Sequence, residues 1–139
     1  MRVATWNVNS LKQRMPRFLP WLDERQPDVV CLQETKLTDD ALTELLGDET
    51  SGRGYELAAH GESAWNGVAI LSKLGLDDVV TGLAAAPGFP HPEARAVAAT
   101  CGGRRVVGCH VALEQALQET VYAQRSLARF GEARKAYLE

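Results

Sequence analysis

Asn7 and Glu34 are the residues from which chemistry is easiest to build. The stretch VVCLQE, residues 29–34, reads as a buried strand, yet it ends on Gln33 and Glu34, with Lys36 close behind. Polar groups at the end of an apolar strand are costly unless they are paired or used. Asn7 stands at the end of a second short run, RVATWN, residues 2–7. If the two strands are parallel neighbours joined through the helix between them, both ends lie on one edge, where open α/β sheets bind ligands. A carboxylate and an amide carbonyl are hard oxygen donors of the kind Mg²⁺ accepts, an ion that takes few protein ligands and keeps several waters. Such an ion polarises a phosphoryl oxygen and stabilises a leaving oxygen. Taken alone, a glutamate at a strand end is more often an ordinary surface or ion-paired side chain.

Several elements must position those groups. Residues 2–7 and 29–32 are predicted strands. Between them Leu11, Met15, Phe18 and Leu22 recur at helical spacing, behind Asn9 or Ser10 as a cap. Pro16 and Pro20 each lack an N–H, which predicts a helix that starts near Pro16 or bends at Pro20 and stops at Gln26-Pro27. Residues 38–46 read as a short helix capped by Thr38. Residues 52–54 read as a turn, 55–60, 68–72 and 77–80 as strands, and 82–94 as a Pro-, Gly- and Ala-rich loop. Residues 96–101 and 105–111 form a predicted hairpin across Gly102-Gly103, and 112–139 a long helix. This order predicts an α/β fold with a mixed sheet and helices on one face. The strands carry apolar residues on both faces, so something must also cover the second face. The chain offers few elements to do so, which points to a missing part or to a partner.

Composition narrows the function classes. The 139 residues are 45% hydrophobic and 24% charged, which fits one soluble globular domain or part of one. A formal charge of −3 gives no global attraction to nucleic acid or to an anionic membrane, so a nucleic-acid role needs a local basic patch. Cys31, Cys101 and Cys109 are an odd number with no close pairing and read as inert core thiols of a reducing compartment. No apolar run is long enough to span a bilayer. The first residues turn polar too soon for a signal peptide. A cytoplasmic protein with no membrane partner is the expectation.

Three motifs then stand in order at fitting distances: TWNVNS at 5–10, LQETK at 32–36 and WNGVAILS at 65–72. EARAVAAT at 93–100, followed by a Gly-Gly hairpin, extends the series. Together they resemble the exonuclease III branch of the endonuclease/exonuclease/phosphatase superfamily, bacterial abasic-site DNA repair nucleases. The likeness is strong over residues 1–107 and divergent over 108–139. It implies one half of a four-layer α/β/β/α sandwich, so that residues 1–139 are a single partial domain. It also implies Mg²⁺ or Mn²⁺ as cofactor, double-stranded DNA as substrate, and cleavage at abasic sites and 3′ ends. Carried over by position, Glu34 is the metal-ligating carboxylate, Asn7 positions the metal or the phosphate, and Gln33 and Lys36 support the same edge. Asn66 and Gly67 lie on the DNA-facing rim, and Arg95 contacts a phosphate. Asn66-Gly67 is also a natural turn, and Arg95 also reads as an ordinary surface charge. Trp6 reads as core rather than as a base-stacking residue, while Trp65 stays open between the two.

The pattern breaks after Val107. The family continues into a Tyr-x-Pro-Asn-Gly-Arg type loop, whereas this chain has HVALEQ at 110–115. His110 takes the tyrosine place and can donate a hydrogen bond, Leu113 takes the asparagine place and cannot, and Glu114 and Gln115 replace the glycine and arginine. The family's second half also carries a Gly-Asp-x-Asn motif and a late Asp-His pair. GDET at 47–50 starts like the first but has threonine in the asparagine place and reads as a turn, and none of His60, His91 and His110 follows an aspartate. A general base contributes about 10²–10⁴-fold in rate. The expectation is therefore an exonuclease III-like chain that is inactive alone and needs its other half or self-association for stability. The alternatives are a non-catalytic half-domain that docks on a partner and, further off, a metal-dependent phosphatase.

Overall fold

The computed structural model describes residues 1–82 and 93–110, which form one compact unit. The expected long helix over 112–139, most of the loop over 82–94, and the divergent Leu113, Glu114 and Gln115 lie outside the described residues. In chain order the elements are β1 (Val3–Asn7), α1 (Leu11–Arg25), β2 (Val29–Gln33), α2 (Asp39–Ser51), β3 (Glu56–His60), β4 (Val68–Ser72), β5 (Asp77–Thr81), β6 (Ala96–Cys101) and β7 (Arg104–Cys109).

β1 and β2 pair in parallel, with Asn7 opposite Gln33. β4 then pairs antiparallel with β2 and with β3, which gives a mixed four-stranded sheet in the order β1-β2-β4-β3. Alternation along its central strands sorts two cores. Val30, Leu32, Ala69 and Leu71 face Leu11, Phe18 and Leu22 of α1 and Leu42 and Leu46 of α2. Both helices therefore cover one face, as the sequence predicts.

The second face is where the structure departs from expectation. β5, β6 and β7 do not extend the first sheet; they form a separate antiparallel sheet in the order β5-β6-β7. Val97, Ala99 and Cys101 of β6 pack against Val29, Cys31, Val68 and Ile70 of the first sheet. The chain thus supplies its own cover across β2 and β4, where the expectation was a missing part or a partner. At the end strand β1, by contrast, Val3, Thr5 and Asn7 are exposed. Gly102 and Gly103 make the two-residue turn between β6 and β7 with φ of 55° and 77°, values that glycine takes without a Cβ penalty.

Two helices differ locally from their predicted form. α1 begins at Leu11 and runs through both prolines to Arg25. Pro16 and Pro20 stand four apart on the exposed face, so the carbonyls that lose a donor, those of Lys12 and Pro16, are on the water side. Ser10 occupies the cap position but makes no side-chain cap; the Ser10 and Leu11 N–H groups donate instead to the carbonyls of Glu34 (2.8 Å) and Thr35 (3.1 Å). Gln26, in the left-handed region at φ 43°, closes the helix by donating to Leu22. α2 starts as predicted, with the Thr38 hydroxyl accepting from Ala41 N–H at 3.2 Å, but it runs on to Ser51. The GDET segment is therefore the end of a helix and not a turn, with Thr50 buried and its hydroxyl donating to Leu46 O at 2.9 Å. No described helix is long and apolar enough to cross a membrane.

Two of the three cysteines are core residues. Cys31 and Cys101 are buried, Cys109 is half-buried, and all three are free thiols. Burial pushes the Cys31 thiol up to about 11, and it raises Cys109 as well. Trp6 packs against Trp21 and Phe18, with ring centroids 5.4 and 6.0 Å away, and belongs with the helix-facing core. Trp65 is 71% exposed.

Candidate active site at the ends of the first two strands

Parallel pairing of β1 and β2 brings Asn7 and Glu34 to one edge. The Asn7 amide nitrogen donates to Glu34 Oε1 at 2.9 Å, while its Oδ1 accepts the backbone N–H of Asn9 at 3.1 Å. Asn7 therefore presents its nitrogen to the carboxylate and commits its oxygen to the chain's own turn. This orientation differs from the direct oxygen ligand that the sequence reading allowed. His110, just past β7, brings Nε2 to 3.0 Å from the same Glu34 Oε1. Lys36 Nζ stands 3.8 Å from Glu34 Oε2 and donates to Asn9 Oδ1 at 2.6 Å.

The electrostatics follow from these contacts. The Asn7 amide bond, aided by the nearby His110 and Lys36, holds the Glu34 carboxyl below its usual range against the opposing pull of burial. Burial lowers the His110 imidazole from its ordinary value despite the opposing attraction of Glu34.

The other expected site residues fall into place unequally. Gln33 is 9% exposed and sits one residue in from the edge. Its amide donates to the Thr5 hydroxyl at 3.0 Å and to Cys31 O at 3.2 Å, tying β1 to β2. Asn66-Gly67 is a turn, as its residue types allow, and it is also at the edge. Lys36 N–H donates to Asn66 O (2.9 Å), Thr35 N–H to Gly67 O (3.2 Å), and Gly67 N–H to Ala94 O (3.0 Å). Glycine is required at 67: φ is 91°, and a Cβ there would come within 2.1 Å of the Thr35 hydroxyl. Arg95 has its guanidinium paired with Glu93 and is only 14% exposed, so a phosphate would compete with a carboxylate for it. Its carbonyl accepts the backbone N–H of His110 at 2.8 Å.

Three contributors escaped the sequence reading. Asn9 anchors Lys36, and its place inside the NVNS motif was the available signal. Glu62 accepts from the Ala94 N–H and from the Asn66 amide, which fastens the 61–67 connection to the start of the second sheet. Thr35 is 1% exposed with a hydroxyl that has no partner among the described residues. No local signal marks either of these two. Backbone strain collects here too. Asn9, Ser10, Glu34, Lys36 and Asn66 are five of the seven described non-glycine residues with positive φ, a conformation that concentrates at functional sites.

No three His, Cys, Asp or Glu side chains among the described residues come together as a metal-binding group. One ionised carboxylate at a half-open edge is nevertheless the kind of anchor a Mg²⁺-type ion uses, since such ions take one or two carboxylates and fill the rest with water and phosphate. A closed Zn²⁺-type cage is not what these residues make.

The model of the Endonuclease/Exonuclease/phosphatase family matches residues 4–135. The chain is 33% identical over 131 residues to DNA-(apurinic or apyrimidinic site) endonuclease 2 of Mus musculus, covering 86% of this chain and 23% of that protein. It is 34% identical over 73 residues to exodeoxyribonuclease III of Haemophilus influenzae, covering 52% of this chain and 26% of that protein. Among solved structures, the 3′-5′ exonuclease NExo from Neisseria meningitidis superposes with a TM-score of 0.83 at 31% identity, covering 99% of this chain and 53% of NExo. The chain thus spans about a quarter of the two curated relatives and about half of the solved one.

Proposed function

Because the chain belongs to the endonuclease/exonuclease/phosphatase family, we propose that it carries the cation-anchoring half of an exonuclease III-like DNA repair nuclease. Its substrate class is then double-stranded DNA with abasic sites or 3′ ends. The observation that carries this reading is the Asn7–Glu34 contact at 2.9 Å, at the joined ends of two parallel strands. Glu34 holds Mg²⁺ or Mn²⁺, and Asn7 orients the carboxylate through its amide N–H. Lys36, anchored by Asn9, adds a positive charge on the side of Glu34 Oε2. The Asn66-Gly67 turn sets the neighbouring rim against which DNA would lie, and Gln33 keeps β1 and β2 in register beneath it. Arg95 is a secondary phosphate contact, available only if Glu93 gives way. A divalent ion bound at Glu34 supplies charge stabilisation to a phosphoryl oxygen.

Holding a cation is one part of phosphodiester hydrolysis; an oriented water and a base near neutral pH are others. GDET lies inside α2 and supplies neither, so cleavage by the 139 residues alone is expected to be slow. The second reading, a half-domain that works on a partner, is favoured by the exposure of Val3 and Thr5 on the end strand β1. The test uses the 139-residue chain on an abasic-site duplex with Mg²⁺, with and without the C-terminal half of an exonuclease III-like relative. Cleavage only in the mixture, abolished by Glu34→Ala, supports the nuclease reading. Failure of the wild-type mixture, together with calorimetry that detects neither DNA nor Mg²⁺ binding, overturns it.

A further inference from the structure

We propose that His110 is a positioning residue that divides the two oxygens of Glu34, holding Oε1 with an Nε2–H and leaving Oε2 to face a cation. The inference rests on the metal role of Glu34 given above, but it stands on its own geometry. Glu34 Oε1 receives two nitrogens, Asn7 Nδ2 at 2.9 Å and His110 Nε2 at 3.0 Å. Oε2 has Lys36 Nζ at 3.8 Å, beyond hydrogen-bond reach. A ring nitrogen 3.0 Å from a carboxylate oxygen must carry a proton, since two lone pairs at that distance repel.

The other face of the ring completes the assignment. Among the described residues, His110 Nδ1 is buried with no hydrogen-bond partner. A bare lone pair there is tolerable, whereas a buried N–H without an acceptor leaves a donor stripped of water. The ring is therefore the neutral Nε2–H tautomer. That state also argues against Nε2 as a metal ligand, because a ligating imidazole almost always donates its other N–H and no acceptor among the described residues faces Nδ1. The ring cannot swing away easily. Its side chain is 10% exposed, and its backbone N–H is tied to Arg95 O at 2.8 Å. The resemblance to the family places a phosphate-contacting tyrosine here; the geometry commits this histidine to the carboxylate instead.

The test is made on the full 139-residue chain without metal and then with Mn²⁺. Two-bond ¹⁵N–¹H spectra, with the His110 signals identified by their loss in His110→Gln, are expected to show a protonated Nε2 and a bare Nδ1. Mn²⁺ affinity, read from the free-ion EPR signal, is expected to fall about 10–100-fold in His110→Leu, the usual effect of removing a carboxylate's supporting donor. His110→Gln can place an amide N–H near the Nε2 position and should stay within about threefold of wild type. Amide spectra matching wild type away from residue 110 establish that both variants are folded. An Nδ1–H tautomer, unchanged affinity in His110→Leu, or equal losses in both variants would overturn the proposal with the metal role of Glu34 intact. A wild-type chain that binds no Mn²⁺ overturns the metal role itself, and the tautomer then separately decides whether His110 holds Glu34.

Discussion

The inter-sheet core and the rim at the ends of β1 and β2 are built on opposite principles. Across the core, Val29, Ile70, Val97, Ala99 and Cys101 are fully buried in regular paired strands. At the rim, five residues adopt positive φ. The two described buried side-chain polar atoms that lack a partner, Thr35 Oγ1 and His110 Nδ1, are also there. Strained backbone costs on the order of 1–3 kcal/mol per residue, as does a buried hydroxyl without a partner, and both persist only where the surroundings over-determine them. The difference teaches that the sandwich supplies rigidity while the rim uses it to hold side chains where free chains would not leave them.

Substitutions can break or sharpen that contrast. The largest effect belongs to the core: Ile70→Ala should cost about 2–5 kcal/mol, measured by urea unfolding. At the rim, Gly67→Ala should cost upwards of about 1–2 kcal/mol from the left-handed conformation alone. The clash with Thr35 should add to that, and the edge spectra should move with it; a neutral result would mean that the rim is not over-determined. A smaller, pH-dependent effect comes from His110. Because burial lowers its native value, the unfolded chain takes up a proton first as the pH falls below about 6.5, and stability drops from there toward the native value. In His110→Gln that component should vanish from unfolding curves recorded between pH 7 and 5. Glu34 works further into acid: its contribution is present above the usual carboxylate value and is lost as the pH falls through its lowered native one.

Glu34→Gln should change stability by less than about 1 kcal/mol, since the new side chain still offers an oxygen to Asn7 and His110. Mn²⁺ binding should nonetheless fall by more than about tenfold, because the ionic ligand is gone. Unaltered binding would move the cation away from this edge. The smallest effect is none at all: Cys31, buried and raised to about 11, should not react with a disulfide reagent at pH 7 until the chain unfolds.

Much of the rim was legible because its signals are local. Apolar runs ending in polar residues marked the ends of β1 and β2, and the NVNS and LQETK wording marked Asn7 and Glu34 as partners. The Thr38 cap and the Gly102-Gly103 turn were equally plain. Local signals also misled. Pro16 and Pro20 predict a helix that starts near Pro16 or bends at Pro20, and a start at Leu11 is possible because both prolines face water, where a carbonyl without its helical donor still finds a partner. Gly47 and Asp48 have the residue types of a turn, although α2 carries them on to a buried Thr50.

By itself the sequence determined most of the described strands and helices, the apolar residues on both strand faces that demand cover on each, and the family motifs that pick out the edge. Only the tertiary structure decided what covers the second face, because alternation states that a face is buried and not by which partner. It likewise decided that His110 meets Glu34 across 76 positions of chain, and that Glu62 clamps Ala94. Those contacts depend on strand pairing and sheet stacking between distant segments, and no short-range propensity encodes them.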